Sequence, residues 1–297
     1  MSVGAWRSEA ARAHFLAAYE LAMSALSVTG ECLDVSTTFG TVRVYRFGPL
    51  PTERPVVLLP GRNASTPMWA DNLPGLLVRR TVYCVDLLGE PGLSVQGLPL
   101  TGAQDQAWWF GELLAGLGLD RAHLMGVSFG GWTAVNFAVH HPARVASLAL
   151  LDPVMTFAPI PMRTMLAVAP MGLPSTPEWL RHRVLRWIAG GADVSERSPV
   201  AALIDAGTAD FTLRQPAPTR FTDAQLRALD MPVLALIAGR SVIHDGRRAA
   251  DAARKLLRHG KVELWSSASH AINGEFPDEI AARAHRFWDE VDGLRSE

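Results

Sequence analysis

The stretch Gly126-Val127-Ser128-Phe129-Gly130-Gly131 constrains the fold of this chain more than any other. It lies between an apolar run at 122–125 and a run that reads as helix at 132–140. A Gly-x-Ser-x-Gly at a strand-to-helix junction makes a cramped turn with the serine hydroxyl pointing out of the top of a sheet. Gly126 and Gly130 are needed there, because a Cβ at either place would collide across the turn. Glycine and serine are common, so the pattern draws its force from the strand–turn–helix setting. The competing reading is a tight turn whose serine only caps the helix.

The rest of the chain supplies the sheet that such a turn requires. Residues 32–38 and 41–47 read as a hairpin turning at Phe39-Gly40. Further strands are predicted at 56–59, 81–85, 122–125, 145–151, 232–238 and 261–265, and helices at 68–78, 103–117, 132–140, 247–259 and 277–291. This alternation predicts an α/β fold, with a mostly parallel central sheet and helices on both faces. Chemistry in such folds collects in the crevice beyond the carboxyl ends of the strands. At the N-terminus, Arg7, Glu9, Arg12, His14 and Glu20 interrupt what would otherwise be an apolar segment. That argues against a signal peptide. Trp6, Phe15, Leu16, Tyr19, Met23 and Leu26 recur at helical spacing, so 5–28 reads as an amphipathic helix packed on the body.

Residues 153–228 break the rhythm. They hold nine of the 20 prolines, and 153–171 holds four of the nine methionines with Arg163 as its one charged residue. This predicts a helical cap inserted into a core made of 1–152 and 229–297. Methionine-rich walls adapt to irregular apolar ligands. Met162 and Met165 are therefore candidate substrate contacts, with a cap-core role as the alternative.

With 297 residues, 48% hydrophobic, the chain can bury one large core. A net charge of −1 and a pI near 6.8 give no reason to expect a nucleic acid or an anionic membrane as partner. No run reaches the length of a membrane span, and the expected location is cytoplasmic. Cys32 and Cys84 are expected to be small buried hydrophobes in a reduced compartment. Histidine, aspartate and cysteine show no metal-ligand spacing, and no glycine-rich phosphate loop is present. No metal and no cofactor are expected.

Gly126 to Gly131, Pro60-Gly61, Val85-Asp86 and His270 together resemble the α/β-hydrolase family over nearly the whole chain. Ser65-Thr66-Pro67-Met68-Trp69, Phe221-Thr222-Asp223 and Val242-Ile243-His244-Asp245 resemble, more closely, bacterial carboxylesterases with a helical cap. The resemblance implies an acyl-serine mechanism at Ser128, with no metal or cofactor. It also points to His270, in Ala268-Ser269-His270 ahead of Glu275-Phe276-Pro277, as the base that a serine hydroxyl needs. His140 and His141 end a helix and His123 lies in a strand, so structural roles are expected for these three, while His182 lies in the cap.

The acid departs from the family pattern. Most relatives carry Asp or Glu just after the strand at 232–238, where this chain has Ser241, or Val242 with a one-residue slip. Two carboxylates can replace it. Asp152 ends the strand next to the elbow strand, a position used by some α/β-hydrolases. Asp245 lies beyond the usual place and is well set to cap the helix that follows. Asp152 is preferred. Asp86 is expected to bond loop backbone near the site.

An oxyanion hole needs two donors. The N–H of Phe129 comes with the elbow. The second is expected from the N–H of Arg62, after Pro60-Gly61, with Asn63 as the alternative and the Arg62 side chain solvated. Together these readings predict a serine hydrolase acting on a small or medium, largely apolar carboxylic ester. Two rivals remain: an acyltransferase or cyclase on the same fold, and a ligand-binding protein that has lost its acid. Dehalogenases and epoxide hydrolases of this fold need Asp where Ser128 stands.

Overall fold

The computed structural model describes residues 2–50, 53–173, 176–191 and 198–293. Its strands are β1 (Ala5–Trp6), β2 (Glu31–Thr37), β3 (Gly40–Phe47), β4 (Val56–Leu59), β5 (Val82–Val85), β6 (Val95–Gln96), β7 (Ala122–Val127), β8 (Val145–Leu151), β9 (Phe211–Thr212), β10 (Val233–Ala238) and β11 (Gly260–Trp265).

Strands β4, β7, β8 and β10 are buried along their whole length. A strand covered on both faces reads as an unbroken apolar run, with successive side chains entering opposite cores. Val57 and Leu59 of β4, Leu148 and Leu150 of β8, and Val233, Ala235 and Ile237 of β10 enter one core. Val56, Leu58, Ala149, Leu151, Leu234, Leu236 and Ala238 enter the other. The first core is closed by helices Ala103–Gly116, Phe129–His140 and Gly246–Leu256. The second is closed by Glu9–Ser24 and Pro277–Asp292, which bring in Phe15, Tyr19, Phe287 and Trp288. Each large side chain so buried contributes about 1.5–3 kcal/mol.

The nine-stranded sheet has the order β11-β10-β8-β7-β4-β5-β3-β2, with β6 on β3. From β5 to β11 all pairings are parallel, and β2, β3 and β6 form an antiparallel edge. The carboxyl ends of β4, β5, β7, β8, β10 and β11 therefore open at one rim.

Three expectations change. The helix expected at 68–78 is a 3-10 turn, Thr66–Trp69, followed by a short helix, Leu73–Leu76, because Pro67 and Pro74 open separate turns. The N-terminal helix is confined to Glu9–Ser24. Ala5 and Trp6 instead form β1, which pairs antiparallel with β9 inside the predicted insertion. Cys84 is buried, but Cys32 is exposed on the edge strand β2, and both are free thiols. The segment expected to be helical has helices in its described parts, at Met162–Val168, Glu178–Ile188, Pro199–Asp210 and Asp223–Arg227. Its residues 174–175 and 192–197 lie outside the described residues. Helix Pro199–Asp210 packs on helix Glu9–Ser24.

Candidate active site

Chain direction reverses sharply after β7. Ser128 has φ 53° and ψ −114°, a conformation that non-glycine residues rarely adopt. Three backbone bonds hold it: Ser128 N–H donates to the Leu151 carbonyl at 3.0 Å, and the N–H groups of Trp132 and Val154 donate to the Ser128 carbonyl at 3.1 and 3.2 Å. A Cβ on Gly126 would lie 2.3 Å from the Gly130 carbonyl oxygen, and one on Gly130 would lie 2.0 Å from that of Leu59. Any side chain at either place would force the turn open.

His270 arrives from the loop after β11. That loop is braced by Ser269 N–H, which donates to Glu275 Oε2 at 2.7 Å. His270 Nε2 lies 2.9 Å from Ser128 Oγ, and His270 Nδ1 lies 2.6 Å from Asp152 Oδ2. A carboxylate only accepts, so Nδ1 carries the proton and Nε2 is left to accept from the serine hydroxyl; the tautomer is assigned from these partners.

Asp152 follows β8 directly, fully buried, with φ 44°. Its N–H continues the sheet ladder to the Leu236 carbonyl at 2.9 Å. Its Oδ1 accepts from Ala238 N–H at 3.0 Å and from His244 Nε2 at 2.8 Å. Burial alone would raise the carboxyl pKa. The charge and hydrogen bonds of His244 and His270 outweigh it and hold the group well below the usual carboxylate range. Asp245 does what a helix cap does, accepting from Arg248 N–H at 3.0 Å. Ser241 Oγ accepts from Ile243 N–H at 3.3 Å. Of the two candidate acids, Asp152 is the one brought to His270.

The loop after β4 passes beside the serine: a Cβ on Gly61 would lie 3.7 Å from Ser128 Cβ. Asn63, at φ 58°, turns its N–H to Glu90 Oε2 at 2.9 Å, so the alternative oxyanion donor is occupied. Among the described residues, the N–H groups of Arg62 and Phe129 have no acceptor. The Arg62 side chain is not solvated as expected. Its guanidinium lies over the Phe129 ring, with Nη1 3.5 Å from Glu90 Oε1. Burial raises the Glu90 pKa, while Arg62 and the bonds from Asn63 and Gln215 pull it down.

Asp86 bonds loop backbone, accepting from the N–H groups of Thr66 and Leu93 at 2.8 and 2.9 Å. It also accepts from the Tyr19 hydroxyl at 2.9 Å, which ties helix Glu9–Ser24 to the rim. The short helix Met162–Val168 buries Thr164, whose hydroxyl donates to the Val242 carbonyl at 2.6 Å, and leaves Met162 and Met165 67% and 50% exposed. Met68, read from sequence as part of a helix and of a carboxylesterase-like phrase, touches the rim: its Sδ accepts from Gly61 N–H at 3.3 Å. His123, His140 and His182 are engaged elsewhere, with Ser147 and Asp292, with Asn136, and with Asp205.

The family described as alpha/beta hydrolase fold matches residues 54–186. An uncharacterized carboxylesterase, nap, of Bacillus subtilis (strain 168) is 27% identical over 93% of this chain and 92% of its own length. The carboxylesterase YbfK of the same organism is 26% identical over 92% of this chain and 93% of its own. The crystal structure of naproxen esterase (carboxylesterase NP) from Bacillus subtilis superposes with a TM-score of 0.86 at 27% identity, covering 93% of this chain and 97% of that one. Among the described residues, no helix is long and apolar enough to cross a membrane.

Proposed function

We propose that this chain, an α/β-hydrolase that resembles bacterial carboxylesterases, hydrolyses small or medium, largely apolar carboxylic esters through an acyl-serine intermediate. The observation that carries the reading is the continuous hydrogen-bonded chain Asp152–His270–Ser128, buried at its acid end.

In this reading His270 Nε2 takes the Ser128 proton as Oγ attacks the ester carbonyl. The N–H groups of Phe129 and Arg62 receive the oxyanion. Asp152 stays ionised, fixes the tautomer and stabilises the imidazolium. His270 then protonates the departing alkoxide, and water cleaves the acyl-enzyme by the reverse roles. Residues 153–228 act as a cap. Met68 walls the site beside Gly61, and Met162 and Met165 meet longer acyl chains at its mouth. The ligand-binding alternative rested on the absent acid after β10, and Asp152 removes that motive. The relatives being carboxylesterases supports hydrolysis over transfer.

A fluorophosphonate probe tests the proposal. Wild type is expected to be labelled at Ser128, Ser128→Ala to be unlabelled, and short and medium acyl esters to yield free acid. A folded wild-type protein that takes no label would overturn it.

A further inference from the structure

We propose that His244 is a positioning residue for catalysis, one that fixes the carboxylate of Asp152 so that Oδ2 alone is offered to His270. The proposal rests on the triad reading above and adds a fourth member to it.

His244 leaves β10 on the loop that crosses the catalytic rim. Its neighbour Asp245 caps helix Gly246–Leu256, which pins the loop backbone. The His244 side chain is only 1% exposed, and Nε2 lies 2.8 Å from Asp152 Oδ1. Its other nitrogen, Nδ1, is buried with no hydrogen-bond partner among the described residues. A buried imidazole costs desolvation free energy unless its polar atoms are matched. Among the described residues this one makes a single polar contact, and that contact is with the acid. Since the carboxylate can only accept, His244 donates from Nε2.

The geometry explains what the bond does. A carboxylate can turn about its Cβ–Cγ bond and exchange its oxygens. Ala238 N–H and His244 Nε2 both hold Oδ1, from the strand and from the loop. With two donors on one oxygen, the carboxylate plane is fixed and Oδ2 points at His270 Nδ1, 2.6 Å away. Asp152 sits at the end of β8 in a left-handed backbone conformation, φ 44°. It therefore starts from a different place than an acid on the loop after β10 would. His244, on that loop, reaches across to secure it.

The test compares three substitutions in steady-state ester hydrolysis, alongside Asp152→Asn. His244→Phe keeps the ring and removes the donor. His244→Gln places an amide N–H the same number of bonds from the backbone as Nε2. His244→Asn carries the same amide but ends one bond short. Removing a hydrogen bond to a buried charge is expected to lower kcat about ten- to a hundredfold in the Phe and Asn variants. KM should change by less than about threefold, because substrate does not touch His244. The Gln variant should recover most of kcat. Should the Phe variant fail to fold, the comparison of Gln with Asn still decides.

Equal losses in Gln and Asn, full kcat in Asn, or an effect confined to KM would each overturn the positioning role. Asp152→Asn separates the two levels. If it is crippled while the His244 variants are not, the triad stands and this inference falls. If Asp152→Asn turns over normally, the triad reading itself fails.

Discussion

The guanidinium of Arg62 lies over the ring of Phe129, 4.2 Å from its centroid. These two residues also supply the N–H groups proposed to receive the oxyanion, one from the loop after β4 and one from the helix after the elbow. Their side chains thus clamp together the two backbone segments whose spacing sets the hole. The Glu90 carboxylate holds the other side of Arg62 and the N–H of Asn63. Arg62→Ala keeps the backbone donor and removes the clamp. A cation–π contact of this kind is worth about 1–2 kcal/mol when partly desolvated, so kcat should fall roughly tenfold. Arg62→Lys should lie between, because an ammonium lacks the stacking plane. Steady-state kinetics on a short acyl ester would show this, and an unchanged kcat in Arg62→Ala would mean that backbone bonds alone hold the hole.

Ser128→Ala should remove ester turnover and leave the fold in place. Loss of a triad serine costs on the order of a million-fold in turnover. The strained φ of 53° is borne equally by alanine, and the bonds to Leu151 and Val154 are backbone bonds, so unfolding should be little changed. The paired measurement is residual hydrolysis against thermal unfolding. Retention of a tenth of wild-type rate would defeat the nucleophile assignment.

Ser128 was legible in the sequence because its motif is local: six consecutive residues encode strand end, turn and helix start. His270 was legible because its loop carries neighbours, Ser269 and Glu275, that bond one another. Asp152 needed a step of topology, the adjacency of β7 and β8, whose parallel strands end at the same rim. His244 was read only as part of a phrase resembling carboxylesterases: its bond reaches a residue 92 positions away, and nothing local marks that partner. The ring–guanidinium contact of Arg62 was hidden for the same reason. Strands β1 and β9 are two residues each, too short to show a period, so their pairing could not be seen. The helix expected over 68–78 failed for a readable reason, since Pro74 and Gly75 lie in its middle.

Acid should weaken the fold through His123. This side chain is buried beneath the sheet, against Arg80 and Asp292. Burial pushes its pKa down to about 4 from an ordinary 6.5; the charges of Arg80 and Arg54 add to this and Asp292 opposes it. A depressed histidine binds protons more readily in the unfolded chain. Its contribution to stability is complete above about pH 6.5 and is lost as pH falls toward 4. His141, whose pKa is also lowered, acts in the same direction. Between pH 6.5 and 5 the expected loss from His123 is on the order of 2 kcal/mol. His123→Gln should flatten that part of the profile in urea unfolding. A variant whose stability falls with pH as steeply as wild type would refute the assignment.

The exposed face of helix Met162–Val168 gives a chain-length prediction. Thr164 anchors this helix to the loop carrying His244, while Met162 and Met165 stand outside it. Met162→Asp and Met165→Asp should raise KM for octanoyl esters several-fold and leave acetyl esters nearly unchanged, on the proposal that only a long chain reaches them. Because both side chains are at least half-exposed, stability should hold within about 0.5 kcal/mol. Equal effects at every chain length would place them off the substrate path.

The sharpest comparison sets Asp152 against Asp245. Both lie near the rim, but they do different work: Asp152 is buried with Oδ2 on His270 Nδ1, whereas Asp245 caps a helix in contact with water. Asp152→Asn keeps the shape but turns an acceptor into a group that also donates, which favours the wrong histidine tautomer. It also leaves the imidazolium without its counter-charge. The same change in a serine protease costs about ten-thousand-fold in kcat, and a similar loss is expected here. The variant also has to match the donors from Ala238 and His244 with a single amide oxygen, so some loss of stability should accompany it. Asp245→Asn should retain activity, because asparagine caps helices nearly as well as aspartate, and the stability change should not exceed about 1 kcal/mol. Hydrolysis rates of both variants near neutral pH decide the matter. Should Asp245→Asn be the crippled one, the relocation of the acid to the end of β8 is wrong. Should neither be crippled, His270 works without a carboxylate partner.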